Sequence, residues 1–128
     1  MKKEIEIEAI NILKRVLHDL HNKNHKEILE YIDYKNFPDL LEFLENDLEE
    51  ILEDYDYEAI DEYGTIVDET DKAERFEIFE FSDGTGFAID YFISADEELT
   101  QLVLQLDFEY VGDLNENIKC SFRSIDYI

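Results

Sequence analysis

His18, His21 and His25 stand at i, i+3 and i+7, a spacing that would align three imidazoles beside Asp19 on one uninterrupted helix face and suit a divalent metal. The intervening Asn22-Lys23-Asn24 reads as a helix break, however. The nearby lysines also oppose a cation, and histidine is favoured at a helix C-terminus for dipole reasons alone. Asp54, Asp56 and Glu58 begin like a calcium loop, but Ala59 fills the sixth position, where the turn needs glycine, and Thr65 the twelfth, where a bidentate glutamate belongs. Cys120 is the single thiol. It falls in an expected strand with no histidine nearby in sequence, and the chain has neither a glycine-rich phosphate loop nor a G-x-S-x-G elbow. Paired carboxylates are too abundant for any one pair to stand out. The expectation is a non-enzymatic protein without metal or cofactor.

The chemistry that does stand out is charge. Of 128 residues, 35 are acidic and 11 basic, a formal net charge of -24 that repels nucleic acid and anionic lipid and attracts cationic surfaces. The excess is uneven: residues 1–35 balance seven acids with seven bases, residues 36–71 hold fifteen acids and no base, and residues 72–128 hold thirteen acids and four bases. A surface charged only for solubility more often mixes its signs. On a helical wheel, Glu42, Glu49 and Glu53 fall opposite an apolar stripe of Leu40, Leu44, Leu48 and Ile51, with Asp39 and Glu50 beside them. Phe43 lies off the stripe toward Asp47, Glu50 and Asp54, and Tyr55, Asp56 and Tyr57 follow directly. Aromatics ringed by carboxylates suit anchors for a cationic partner, and packing beneath a neighbouring element is the alternative for Phe43. The expected partner-binding residues are therefore Glu42, Phe43, Glu49, Glu50, Glu53, Asp54, Tyr55, Asp56 and Tyr57.

Positioning these groups requires folded elements, and nine Phe with eight Tyr argue for a packed core rather than disorder. Apolar residues at intervals of three and four predict helices over 3–21, 25–34 and 38–55. Asn24 and Glu27 serve as the capping pair of the second helix, Pro38 falls in the first turn of the third, and the third stripe runs on to Tyr55. An extra turn near Ala59 and Ile60 and a short Thr65-Ile66-Val67 strand follow. The period then falls to two, predicting strands over 75–82, 86–94, 99–111 and 117–127, with a turn at Ser82–Gly86. Leu102, Leu104, Leu106 and Phe108 face inward, and Gln105, Asp107 and Glu109 face water. The reading is one α+β domain over 1–128, three N-terminal helices packed on a C-terminal antiparallel meander of about four strands. One cysteine allows no internal disulfide, the N-terminal run lacks a signal-peptide core, and no apolar run can span a bilayer, so a cytoplasmic protein is expected.

This order of elements resembles compact NTF2-like or cystatin-like α+β cones. The passage Phe79-Glu80-Phe81-Ser82-Asp83-Gly84-Thr85-Gly86-Phe87, continued through Leu99-Thr100-Gln101-Leu102 to Phe108, is similar to the strand core of small bacterial domains of that topology. It covers about half of the chain. Small acidic α+β proteins of this kind are also similar to bacterial immunity proteins. That resemblance implies stoichiometric neutralisation of a cognate basic toxin, such as a nuclease, with no direct binding of nucleic acid and no membrane. Two alternatives remain open: a DNA mimic that occupies a nucleic-acid-binding protein, and a small-molecule-binding NTF2-like domain, which needs a deep pocket.

Overall fold

In the computed structural model, which describes residues 1–66 and 76–127, helix α1 spans Lys3–His21 and buries Ile5, Ala9, Leu13, Val16, Leu17 and Leu20 along one stripe. It stops at Asn22 because Lys23 turns left-handed (φ 59°), and the N–H groups of Lys23 and Asn24 return to the carbonyls of Leu20 (3.3 Å) and Asp19 (2.8 Å). This is a Schellman closure with lysine where glycine usually stands.

Helix α2 is a single turn, His25–Ile28, rather than the expected 25–34. Asn24 occupies its N-cap without a side-chain bond, and the Glu27 N–H goes to the Asn24 main-chain carbonyl (3.1 Å). Residues 29–32 continue as tight turns whose N–H groups return to the carbonyls of Lys26, Glu27 and Ile28, and the chain then meets the sheet at Asp33. Asp33 donates its N–H to the Cys120 carbonyl (2.9 Å) and accepts the Phe122 N–H (3.0 Å), forming a parallel bridge. Ile28 and Ile32 are buried behind it, and Lys119 pairs with the Asp33 carboxylate at 2.8 Å.

The third helix, α3, follows a turn at Pro38 and runs as three contiguous pieces: Leu40–Glu42, a π-helical Phe43–Asp47, and Leu48–Asp54. Its buried residues are Leu40, Leu44, Leu48 and Leu52, each four apart. In a plain α-helix a step of four overshoots the turn by about 40°, so this row would rotate out of the core within three steps. The wide π turn absorbs one extra residue and brings Leu48 and Leu52 back beneath Leu40 and Leu44.

Four antiparallel strands follow in the order β1 (Phe76–Glu80), β2 (Gly86–Ala95), β3 (Glu98–Val111) and β4 (Asn117–Tyr127). Residue 75 of the expected first strand and Val67 of the expected Thr65–Val67 strand lie outside the described residues. Thr65 itself closes a turn onto Glu62. The inner face of the meander presents Phe87, Ile89, Tyr91 and Ile93, then Leu102, Leu104, Leu106 and Phe108, then Cys120, Phe122 and Ile125 to the helices. Parity on β4 changes at Arg123, where the partner of β3 moves from Phe122 to Ser124 between Leu106 and Gln105. On the outer face Gln105 donates to Asp90 (3.2 Å) and accepts from Ser124 (2.7 Å), and Arg123 pairs with Asp107 (3.0 Å).

The β2–β3 turn is closed by Asp96 and Glu97, both left-handed (φ 51° and 66°) although neither is glycine. The preceding segment holds it. Asp96 accepts the N–H groups of Glu58 (2.9 Å) and Ala59 (3.2 Å), and buried Asp61 accepts that of Glu97 (2.8 Å). Ile60 bridges Ala95, so the expected helical turn near Ala59 and Ile60 is instead a short β contact. Among the described residues no helix is long and apolar enough to cross a membrane.

Candidate functional site

Two of the three imidazoles, His18 and His21, face the 60–62 segment, and the third lies at the start of α2. His18 donates from Nδ1 to Glu62, His21 donates to the Ile60 carbonyl (2.7 Å), and His25 is buried at the start of α2. The hydrogen bond and charge of Glu62 raise the His18 pKa above its ordinary 6.5, and the same contact lowers that of Glu62 below 4.5. Burial lowers the His25 pKa below 6.5 against the opposing pull of Glu49 and Glu45. The two histidines therefore act on stability with opposite signs. The His18 contribution is full below pH 6.5 and lost as pH rises through its folded value, whereas at His25 the unfolded chain takes up the proton first, so stability falls as pH drops from 6.5 toward the lower folded value. A proton NMR titration of the ring signals is expected to place His18 above and His25 below 6.5, and coincident midpoints would contradict the structure. Cys120 lies in the core, where burial pushes its thiol well above the usual range and leaves it a packing residue at ordinary pH.

Glu42, Glu50, Glu53 and Asp54 are exposed along α3 and form no ion pair among the described residues. Glu49, half-buried, pairs with Lys23 across the α1–α2 turn at 3.2 Å, so that member of the ridge is partly neutralised. The last turn of α3 carries no basic residue, and its acids add to the negative pole of the helix.

Phe43 does not share the exposed face. Its ring packs edge-on against Phe37 (5.3 Å between centroids) and lies near Phe122 (6.5 Å), placing it under the 33–38 segment as a half-buried member of the core margin. Tyr55, expected at the end of the buried stripe, is instead 49% exposed. The helix ends there because Asp56 adopts φ 59° and the N–H groups of Asp56 and Tyr57 return to Glu53 (3.0 Å) and Leu52 (2.8 Å), a second Schellman closure without glycine. That turn swings Tyr55 out of the helical row.

Tyr55 meets Tyr57 in a near-parallel arrangement (6.4 Å, 23°) and Tyr127 of β4 in a tilted one (6.0 Å, 50°). With residues 99–102 at the start of β3 these rings line an open pocket of about 250 Å³. Tyr127 and Leu99 are each 47% exposed at its rim. Desolvation first, then Tyr55 and the charges of Asp54 and Asp126, raises the Tyr127 phenol pKa, as expected where hydroxyls gather among carboxylates. Of the nine expected partner-binding residues, Tyr55 and Tyr57 line this pocket, Asp54 and Asp56 adjoin them in sequence, Glu42, Glu50 and Glu53 lie on the exposed ridge, Glu49 is paired and Phe43 packs inward. Tyr127 and Leu99 complete the pocket and were not among the expected residues. No family model, curated protein or solved structure matches the chain.

Proposed function

We propose that this protein is a non-catalytic acidic binding protein that occupies one basic protein partner stoichiometrically, in the manner of an immunity protein neutralising a basic toxin. The observation that carries the reading is the join between a carboxylate ridge on α3, of which Glu42, Glu50, Glu53 and Asp54 form no ion pair among the described residues, and a partly exposed tyrosine cluster at the end of the same helix. Like charges packed at helical spacings of three and four cost a few tenths of a kcal/mol per pair, so the ridge is maintained against its own repulsion. Long-range negative potential speeds encounter with a cationic surface, and large, rigid aromatic side chains supply the short-range contact area on which affinity rests. A small-molecule reading has less support, because the tyrosine pocket is open and falls below the roughly 300–1,000 Å³ of typical ligand sites, and a larger hollow of about 440 Å³ beside Tyr31, Asp33 and Lys119 is shallow and open to solvent.

Affinity capture from the source cells, followed by titration of the purified partner, tests the proposal. The expected result is one basic protein in a 1:1 complex that weakens with salt and loses about tenfold in affinity when Glu42, Glu50 and Glu53 are changed together to Gln, as expected for partly screened charges. Retention of several unrelated nucleic-acid-binding proteins would favour DNA mimicry instead. A partner indifferent to those three substitutions would remove the ridge from the interface.

A further inference from the structure

We propose that the pocket formed by Tyr55, Tyr57 and Tyr127 seats an arginine side chain of the basic partner and so supplies the specific contact within an otherwise generic acidic face. This rests on the binding function proposed above and assigns the chemistry of its anchor. The pocket, about 250 Å³, suits one long side chain better than a drug-sized ligand. Three of its described lining residues are tyrosines, and a ring face carries the negative side of the quadrupole and attracts a cation laid over it.

Two further sources of negative potential converge on it. Tyr55 is the C-cap of α3, so the negative pole of that helix ends at the pocket wall, and the last turn has no basic side chain to offset it. Asp54 and Asp126 lie close enough for their charges to reach the Tyr127 hydroxyl. Among the described residues lining the pocket none is a cation.

Arginine fits this combination better than lysine. A guanidinium is planar and weakly hydrated, stacks on aromatic faces and still presents forked N–H donors to a carboxylate. An ammonium must give up a tighter hydration shell to enter the same apolar space. Gln101 and Thr100 add polar groups at the β3 side of the pocket, in keeping with a guest that carries several donors.

The test uses the isotope-labelled full chain and two probes, tetra-arginine amide and tetra-lysine amide, in NMR titrations at low salt. Both are expected to bind through the acidic ridge, with the arginine peptide tighter by about three- to tenfold and alone moving the ring signals of Tyr55, Tyr57 and Tyr127. Tyr127→Leu should abolish that preference, bringing the arginine peptide down to the affinity of the lysine peptide. Tyr127→Phe, which keeps the ring, should retain it and controls for any loss of folding. Equal affinities, or a preference that survives Tyr127→Leu, would overturn this inference and leave the binding function standing. Failure of both peptides to bind would remove the binding function and the inference together.

Discussion

Gly86→Ala is expected to destabilise the fold by about 3 kcal/mol, a large part of the roughly 5–15 kcal/mol that holds a domain of this size. Gly86 opens β2 opposite Glu109, and a Cβ placed on it would lie 1.9 Å from the Phe108 carbonyl oxygen and 2.9 Å from its carbon. The obstacle is main chain, so no rotamer change relieves it, and β2 and β3 must part locally. Parting them strains the Phe81 N–H bond to the Gly86 carbonyl (2.9 Å) and the Phe87–Phe108 stack (4.9 Å, 8°) at the centre of the core. Gly84→Ala is the matched comparison. Gly84 is left-handed (φ 75°) with open space around it, so its substitution incurs only the backbone penalty of about 1–2 kcal/mol. Urea unfolding of the two variants separates the causes, and a Gly86→Ala midpoint no lower than that of Gly84→Ala would show that the strands accommodate the methyl group.

The same close approach explains part of what could be read from the sequence. Ser82-Asp83-Gly84-Thr85-Gly86 announces a turn by composition, and Asp83 closes it by accepting both the N–H and the hydroxyl of Thr85 (3.0 and 2.7 Å). Helix α1 and strands β2 to β4 were legible because long stretches of side chains obey one period, which single exceptions do not blur. The helix ends were harder. Both α1 and α3 close through a left-handed residue, but Lys23 and Asp56 carry none of the glycine signal that marks such ends, and the outward swing of Tyr55 follows from the second of them. The expected α2 ran on to residue 34, whereas residues 29–32 form turns and Asp33 pairs with β4, nearly ninety residues later, a tertiary contact that local pattern does not encode.

The site was half-legible for a related reason. Charge concentration is a property of consecutive residues, so the acidic ridge could be counted directly. The pocket joins the end of α3, the start of β3 and the end of β4, which are distant in sequence. Strict alternation from Cys120 and Phe122 would place Tyr127 on the outer face. The bulge at Arg123 reverses that parity, sets Tyr127 opposite Leu102 and brings its ring to Tyr55. Phe43 was ambiguous from the wheel alone, and its edge-on contact with Phe37 resolves it as a packing residue.

Tyr31→Phe is expected to cost about 2–3 kcal/mol, more than the loss of one neutral hydrogen bond, because it strands a buried charge. Asp19 sits on the inner side of α1 with 4% of its surface exposed, and the Tyr31 hydroxyl donates to it at 2.6 Å. Burial first, then the hydrogen bond and charge of Asp19, drives the Tyr31 phenol far above its usual pKa, so it remains a donor at ordinary pH. Arg15 lies over the Tyr31 ring at 3.8 Å, and the trio fastens α1 to the segment that carries Asp33 to the edge of β4. If Asp19 needs that donor, replacing both partners with apolar groups should cost less than the sum of the single changes. Tyr31→Phe combined with Asp19→Leu is therefore expected to recover at least 1 kcal/mol relative to additivity in a double-mutant cycle. Strict additivity, or a Tyr31→Phe loss below about 0.5 kcal/mol, would mean that water satisfies Asp19 and that the α1 junction is held by Ile28, Ile32 and the Asp33 bridge without it.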